Sequence, residues 1–179
     1  MKKIIVLIFF VLLLTGCTTS VEYDLEAAQD TINVFEEHQA KGCSVIINDV
    51  EHEMDITDNA VNSQEIGEYV IHYEAEVNDE TYTCERVVFV VDHVAPLLTL
   101  LPGVDTIEVL QAWEDAGVVV SDNYDDDVIV VTEYNEEDFA PTGSISFHSV
   151  GTFEVKYVAT DDSGNETSII RYVHVIEGE

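Results

Sequence analysis

The sequence predicts an all-β fold, with two tandem antiparallel β-sandwiches after a cleaved N-terminal leader. Apolar and polar residues alternate with period two along several short segments, as they do in half-buried strands. Turn residues separate these segments at regular intervals, and the whole pattern occurs twice in the chain. No segment of the mature chain has convincing amphipathic-helix spacing, and the strand pattern therefore decides the fold class.

The N terminus has the pattern of a secretory leader. Lys2 and Lys3 precede an apolar run over residues 4–14, which is too short to cross a hydrocarbon core of about 30 Å comfortably. The run ends in Leu-Thr-Gly-Cys, which resembles the bacterial lipobox. That resemblance implies that residues 1–16 are a lipoprotein signal peptide and that Cys17 carries the lipid. The alternative is an ordinary cleaved leader with a chance cysteine.

A lipid on Cys17 predicts a protein anchored to the extracytoplasmic face of a bacterial cell membrane. Two or three acyl chains hold a protein there stably, because each buried CH₂ adds about 0.8 kcal/mol. The first strand is predicted to begin near Val21, so residues 17–20 are the tether. The three residues after the cysteine extend over roughly 10 Å at most. We therefore expect the first module to lie close to the lipid headgroups.

The charge of the chain restricts its partners. The chain has 6 basic and 37 acidic residues, and removal of Lys2 and Lys3 leaves 4 basic residues and a net charge of −33. Such a charge repels nucleic acid and anionic headgroups, and we expect no nucleic-acid partner. Patterned runs of Val, Ile, Tyr and Phe distinguish the chain from disordered acidic tails.

Two of the three cysteines are candidates for a disulfide. If Cys17 carries the lipid, Cys43 and Cys84 remain, and an exported pair is more often bridged than free. A bridge that closes a loop of about 40 residues contributes on the order of 4 kcal/mol in the chain-entropy model. The alternative is a pair of buried thiols that act as small apolar side chains.

An internal repeat defines the domain organisation. The stretch DTINVFEEHQAKGCSV from Asp30 returns 75 residues later as DTIEVLQAWEDAGVVV from Asp105. Farther along, GEYVIHYEA from Gly67 matches GTFEVKYVA from Gly151 at an offset of 84 residues. The chain therefore contains two copies of one module, with about nine extra residues in the second copy, within residues 132–148.

The strands follow from the alternation within each copy. In the second copy one apolar strand face consists of Phe153, Val155, Tyr157 and Ala159. The first copy repeats that face with Tyr69, Ile71, Tyr73 and Ala75. The turn sequences LPGVD, SDNYDDD, DDSGN and VNDET separate the strands. The stretch VEYDLEAAQD aligns with the strand-like PLLTLL of the second copy, which favours a strand over a helix.

The second copy resembles a known family of repeats. The residues that carry this resemblance are Asp92, Ala95, Pro96, Gly117, Asp122, Gly151, Tyr157, Asp161, Gly164, Asn165, Arg171 and Val175. They resemble the bacterial Ig-like repeats related to hyalin-repeat and cadherin-like modules, known from surface proteins and a pesticidal crystal toxin. The resemblance implies a degenerate Ig-like domain at residues 21–92 and a bacterial Ig-like domain at residues 93–179.

The first copy departs from the family in its cysteines and in one turn. It lacks the Ser-Gly-Asn turn of the second copy. In the alignment, Cys43 and Cys84 occupy the positions of Val118 and Ile169. A disulfide in the first copy would then replace two apolar core residues of the second.

The acidic turn DDSGN, at residues 161–165, has two interpretations. In one, Gly164 supplies a positive φ and the acidic side chains cap the turn as solvated loops, with no cofactor. In the other, four carboxylates bind a structural Ca²⁺, which takes six to eight oxygen ligands. The candidate ligands are Asp92, Asp122, Asp125 and Asp161. Cadherin-like modules stiffen their junctions this way, but the first copy has Ile47 in the place of Asp122.

The remaining motifs predict no enzyme. Neither a Gly-x-Ser-x-Gly stretch nor an HExxH pair is present, and we expect most of the six scattered histidines on strand surfaces. The family that the second copy resembles often has an aromatic residue at the position of Trp113, which favours packing in the core or at its edge over a carbohydrate-stacking surface. Arg86 and Arg171 are predicted to pair with acidic neighbours, and the alternative is a role in the interface between the modules.

These observations predict a non-catalytic cell-envelope lipoprotein whose two Ig-like modules act as a surface spacer, adhesion element or protein-binding element. The expected partners are the membrane, through the lipid, and an envelope or extracellular protein. The alternative is an accessory or substrate-binding lipoprotein of an envelope enzyme or transporter complex.

Overall fold

The computed structural model describes residues 5–6, 19–25, 28–134 and 145–178. The predicted lipid site at Cys17 and the middle of the segment at residues 132–148 lie outside them. Contacts divide the chain into two compact units, Met1–Asp92 and His93–Glu179. In the described part of the chain every regular element is a strand, and the all-β prediction is confirmed. No helix in that part has the length and apolar character needed to span a bilayer.

The first unit has eight strands among the described residues. They are β1 (Ile5–Val6), β2 (Val21–Leu25), β3 (Gln29–Asn33), β4 (Cys43–Ile47), β5 (Val50–Glu53), β6 (Asp55–Asn59), β7 (Gly67–Val77) and β8 (Glu80–Val91). One sheet has the order β1-β2-β4-β5 and the other β3-β8-β7-β6. β1 belongs to the predicted signal peptide, so its pairing with β2 describes the chain before cleavage. β2 begins at the predicted residue, Val21.

The second unit repeats this plan with eight further strands in the described part. They are β9 (Leu97–Leu100), β10 (Thr106–Glu108), β11 (Ala112–Trp113), β12 (Val118–Ser121), β13 (Ile129–Tyr134), β14 (Ile145–Ser146), β15 (Gly151–Thr160) and β16 (Glu166–Ile176). The largest sheet has the order β10-β16-β15-β13, while β12 pairs with β9 and β11 with β14.

Apolar residues of alternate strand positions form one core in each unit. In the second unit the predicted apolar face of β15 is confirmed, since Val155, Tyr157 and Ala159 are buried in the core and Phe153 packs against it. The buried core of the first unit consists of Leu25, Cys43, Val45, Ile47, Met54, Ile71, Tyr73 and Val88. Each unit thereby buries the inner faces of its sheets, as expected for a β-sandwich.

Each unit also contains a parallel strand pair, which the sequence analysis did not predict. β3 pairs in parallel with β8, and β10 pairs in parallel with β16. The first strand of each unit, β2 or β9, pairs antiparallel in one sheet. The chain then crosses to the other sheet, where it forms β3 or β10. The joined strand covers what would otherwise be an open edge of the long hairpin, and open edges favour association with other chains.

Two turns explain how the long hairpins close. Asn78 and Asp79 connect β7 to β8 with φ values of 53° and 65°, the left-handed conformations of a two-residue hairpin turn. Between β15 and β16, Gly164 has a φ of 88°, as predicted for the DDSGN turn. The NH of Gly164 donates to the Asp161 carbonyl at 3.2 Å, which closes this turn.

Candidate functional site

A buried arginine holds together the core of the second unit. The Arg171 side chain is 2% exposed, and its Nη1 donates to both carboxylate oxygens of Asp105 at 3.0 and 3.1 Å. Its Nη2 donates to the carbonyls of Leu101 at 2.7 Å and Gly117 at 3.0 Å. One guanidinium thus connects β16 with three positions that precede β12 in the chain, namely Leu101, Asp105 and Gly117. The predicted pairing of Arg171 with acidic neighbours is confirmed.

A tyrosine completes this cluster. The Tyr157 hydroxyl donates a short hydrogen bond to Asp115, whose carboxylate lies 3.7 Å from Arg171 Nε. Burial and the neighbouring Asp115 raise the pKa of Tyr157 well above its ordinary value. Burial alone lowers the pKa of Arg171, but its hydrogen bonds with Tyr157 and Asp105 outweigh this and raise it. Both groups keep their protons at neutral pH, which suits a structural cluster rather than proton transfer.

The first unit contains the equivalent cluster at the repeated positions. Arg86 is fully buried, and it donates to Asp30 at 3.4 Å, to the Tyr73 hydroxyl at 3.4 Å and to the Gly42 carbonyl at 3.2 Å. Burial raises the pKa of Asp30, but the hydrogen bond from Lys41 and the charge of Arg86 lower it below its ordinary value. The prediction that Arg86 pairs with an acidic neighbour is confirmed.

The disulfide is specific to the first unit. Cys43 and Cys84 are bonded across a sequence separation of 41 residues. Cys84 lies opposite Tyr73 in the β7–β8 pairing, where Ile169 lies opposite Tyr157 in the β15–β16 pairing. The cysteine therefore takes an apolar position of the second unit, as the alignment implied. A loop of this length gives a stabilisation on the order of 4 kcal/mol in the chain-entropy model.

Three of the four predicted metal ligands come together in the second unit. Asp122 follows β12, Asp125 lies in the next turn, and Asp161 follows β15. Each of them offers a carboxylate oxygen, and these oxygens lie within 4.8 Å of one another. Asp161 is 6% exposed, and Asp122 and Asp125 are half-buried. The loops at one end of this unit therefore gather negative charge in a small, partly buried volume.

Local hydrogen bonds fix two of these carboxylates. Asp122 Oδ1 accepts from the NH groups of Tyr124 at 2.9 Å and Asp125 at 3.1 Å. Asp161 accepts from the NH of Asn165 at 2.7 Å and from its Nδ2 at 2.8 Å. The other oxygen of Asp122, Oδ2, is buried and has no hydrogen bond partner in the described part of the chain. A buried acceptor normally has a hydrogen bond partner, and such an oxygen is a candidate ligand for a cation.

Burial and the neighbouring carboxylates shift the pKa of Asp125. Partial burial, together with the negative charges of Asp162, Asp161 and Asp122, raises the pKa of Asp125 above its ordinary value. The NH of Asp162 donates to Asp125 Oδ2 at 3.1 Å, which opposes this shift. A cation in the cluster would relieve the repulsion that the neighbouring carboxylates impose.

The fourth predicted ligand, Asp92, is the last residue of the first unit, and its side chain there is 4% exposed. The first unit has the buried Ile47 in the position of Asp122, so it lacks the equivalent acidic loop. Trp113 is 2% exposed in the second core, as predicted. His38 is an exception to the expectation that most of the histidines lie on strand surfaces, because its side chain is only 6% exposed. The repeat alignment, which pairs His38 with Trp113, contained the signal for its burial.

The comparisons with known proteins agree with this architecture. Residues 104–175 match the model of the Ig-like domain of bacterial surface proteins. Residues 1–18 match the model of the prokaryotic membrane lipoprotein lipid attachment site. No match to the chain was found among the curated proteins. The resemblance to a module of a pesticidal crystal toxin gains no support from these matches.

Two solved structures of cadherin and protocadherin chains are similar to this chain at low identity. Drosophila N-cadherin EC1-4 is 14% identical, with 83% of this chain and 48% of that chain covered at a TM-score of 0.35. PcdhgB3 EC1-4 is 15% identical, with 88% of this chain and 50% of that chain covered at a TM-score of 0.33. The chain spans about half the length of both.

Proposed function

Because the chain carries a bacterial surface Ig-like domain and a lipoprotein attachment site, we propose that it is a non-catalytic protein-binding element of the bacterial envelope. The attachment site supports a lipid anchor, which we assign to Cys17, and the Ig-like domain supports exposure outside the cytoplasm. The first module lies near the membrane in this proposal, because only residues 18–20 separate Cys17 from β2. The second module then presents the binding surface.

The observation that carries this proposal is a strand with exposed apolar side chains, β13, which forms the edge of its sheet among the described residues. In the described part of the chain β13 pairs only with β15. Its side chains Ile129 and Val131 are 64% and 52% exposed. An edge strand with apolar side chains and unpaired backbone groups is a template for an added strand from another chain. We propose that β13 binds an extended segment of an envelope or extracellular protein in this way.

The corresponding edge of the first unit is protected. β6 also forms the end of its sheet, but all five of its residues are exposed and two of them are Asp55 and Asp58. Its pairing with β7 shifts register between Ile56 and Asp58. Charges and bulges at an edge prevent strand addition. The contrast between β6 and β13 favours the second unit as the binding module.

Substitution of Val131 by lysine tests this proposal. The full-length protein is expressed in its host, and its partners are captured by chemical cross-linking on intact cells. We expect Val131→Lys to reduce the captured partner by about tenfold, since a charge on the edge opposes strand addition. The matched control is Ile56→Lys on β6, where Ile56 is 46% exposed and capture should not change.

The outcomes of this experiment separate the functional classes. Equal capture by Val131→Lys and the native protein would contradict binding at β13. No captured partner for the native protein would favour a spacer. An envelope enzyme or transporter as the partner would favour the accessory function.

We further propose that the carboxylates of Asp122, Asp125 and Asp161 bind Ca²⁺ and stiffen the loops at their end of the second unit. Three oxygens within 4.8 Å, a buried Asp122 Oδ2 without a hydrogen bond partner among the described residues, and the raised pKa of Asp125 support a cation here. Ca²⁺ prefers such oxygen ligands and accepts backbone carbonyls and waters for the rest. Asp92 remains the fourth ligand of the sequence-based hypothesis.

A further inference from the structure

The two units differ at one pair of core positions. The repeat places His38 of the first unit at the position of Trp113 in the second. It also places Ser63 at the position of Phe147, with the offset of 84 residues that relates the adjoining strands. An aromatic pair in the second unit is therefore replaced by a histidine and a serine in the first.

A backbone hydrogen bond to each residue confirms that Ser63 and Phe147 are structurally equivalent. In the second unit the NH of Leu110 donates to the carbonyl of Phe147 at 2.9 Å. In the first unit the NH of Phe35 donates to the carbonyl of Ser63 at 2.7 Å. Leu110 and Phe35 have the same φ, 66°, so the turn itself is conserved between the units. Close to this turn, His38 and Ser63 take the places of Trp113 and Phe147.

In the second unit the two aromatic rings fill this part of the core. Trp113 is 2% exposed and Phe147 is fully buried, and their ring centroids are 6.3 Å apart. Phe147 also packs on Phe153 with a centroid separation of 4.4 Å. The indole Nε1 donates to the Val104 carbonyl at 2.7 Å. Loss of both rings from such a site removes volume that the surrounding structure recovers only in part.

The first unit has a cavity at this place. Its volume is about 300 Å³, at the lower end of the range of ligand pockets. The residues that line it are Phe35, Glu37, His38, Asn59, Val61, Ser63 and Gln64. Both substituted positions, His38 and Ser63, are among them, and most of the lining side chains can form hydrogen bonds.

His38 supplies a second indication of a ligand. Its side chain is 6% exposed, and its Nε2 lies 3.6 Å from a carboxylate oxygen of Asp30. Its Nδ1 is buried and has no hydrogen bond partner in the part of the chain that the structure describes. A buried polar atom normally has such a partner, and His38 is one of the residues that line the cavity.

We propose that this cavity binds a single neutral sugar ring. Asn59, Ser63, Gln64 and Glu37 offer the hydroxyl, amide and carboxylate groups that pair with adjacent sugar hydroxyls. Phe35 is 49% exposed in the lining and offers an aromatic surface for the apolar face of the ring. No lysine or arginine is among the described residues that line the cavity, and the mature chain carries a charge of −33, which disfavours anionic ligands. The site goes beyond the proposed function, because it lies in the first unit alone.

The test uses the full-length lipoprotein in detergent and saturation-transfer NMR titration with glucose, galactose and N-acetylglucosamine. Each sugar is added up to about 20 mM, where a millimolar site is nearly saturated. We expect saturable binding of at least one sugar. The variant His38→Trp with Ser63→Phe gives the first unit the two aromatic residues of the second. The two rings should fill the cavity and abolish sugar binding. The matched control is Ser168→Phe, on an exposed residue of β16, which should bind as the native protein does.

A second variant decides the result if the filled variant does not fold. Gln64→Ala removes one hydrogen-bonding group from the exposed part of the lining and should weaken sugar binding about fivefold. Absence of saturable binding to all three sugars would overturn the proposal, as would affinity that neither variant changes. Tighter binding of tetramethylammonium than of every sugar would also overturn it, because the cavity would then select a cation.

Discussion

Replacement of Arg171 by methionine is expected to lower the free energy of unfolding of the second unit by about 3 kcal/mol, the lower end of the cost of removing one partner of a buried ion pair, because the Asp105 side chain is 38% exposed. Methionine fills much of the same volume but leaves the Asp105 carboxylate and the carbonyls of Leu101 and Gly117 without the guanidinium. The measurement is urea unfolding of the full-length protein, followed by the fluorescence of its single tryptophan, Trp113. Trp113 is buried in the second core and therefore reports on the unit that contains Arg171.

The matched control removes another cation from the same sheet. Lys156 on β15 pairs with Glu133 at 3.1 Å, and both side chains are largely exposed, at 43% and 55%. An exposed pair of this kind contributes about 0–1 kcal/mol, so Lys156→Met should change the stability little. Equal losses in Arg171→Met and Lys156→Met would show that the buried cluster has no special part in holding the unit together.

Calcium is expected to stabilise the second unit by about 2.7 kcal/mol at a concentration one hundred times its dissociation constant. The gain follows because the folded unit gathers Asp122, Asp125 and Asp161, whereas the unfolded chain does not. A dissociation constant of about 10⁻⁴–10⁻³ M is typical of extracellular calcium modules. The same tryptophan-monitored unfolding, with calcium or with chelator, measures the difference.

The variant Asp122→Asn with Asp125→Asn should lose this gain, since it removes two charges and retains an oxygen acceptor at each position. The matched control is Asp55→Asn with Asp58→Asn, two exposed residues of β6 with the same change in charge. A further variant, Asp92→Asn, tests the fourth ligand. A calcium effect of the same size in the cluster variant and in the control would remove the proposed site.

Much of the fold could be predicted from the sequence because the module occurs twice. The alternation of Phe153, Val155, Tyr157 and Ala159 gave the buried face of β15, and Gly164 gave the turn after it. The equivalence of Cys84 and Ile169 followed from the repeat and agrees with the strand register. Period-two alternation fixes which side chains are buried, and an internal repeat fixes which strands correspond.

The direction of strand pairing was beyond this kind of reasoning. Alternation is the same in parallel and antiparallel strands, so nothing in the pattern of β3 or β10 indicated a parallel partner. The prediction of purely antiparallel sheets was therefore incomplete. The pairing depends on how the short segments after β2 and β9 cross between the two layers of each unit.

The acidic cluster could be predicted from the sequence, whereas the cavity could not. Asp122, Asp125 and Asp161 could be proposed together because each follows a predicted strand at a turn. The cavity beside His38 could not be seen from one copy alone, since a histidine in an acidic segment is typical of a surface. Only its comparison with Trp113, the bulky core residue of the other copy, points to missing volume.

We propose that a lipid on the first mature residue holds the modules at the membrane. Intact-mass spectrometry of the protein extracted from the membranes of its bacterial host tests this proposal. We predict a mass that lacks residues 1–16, includes a diacylglyceryl group on Cys17 and is two hydrogens lower for the Cys43–Cys84 bond. A mature chain in which Cys17 is present without any acyl group, or removed with the leader, would contradict the account.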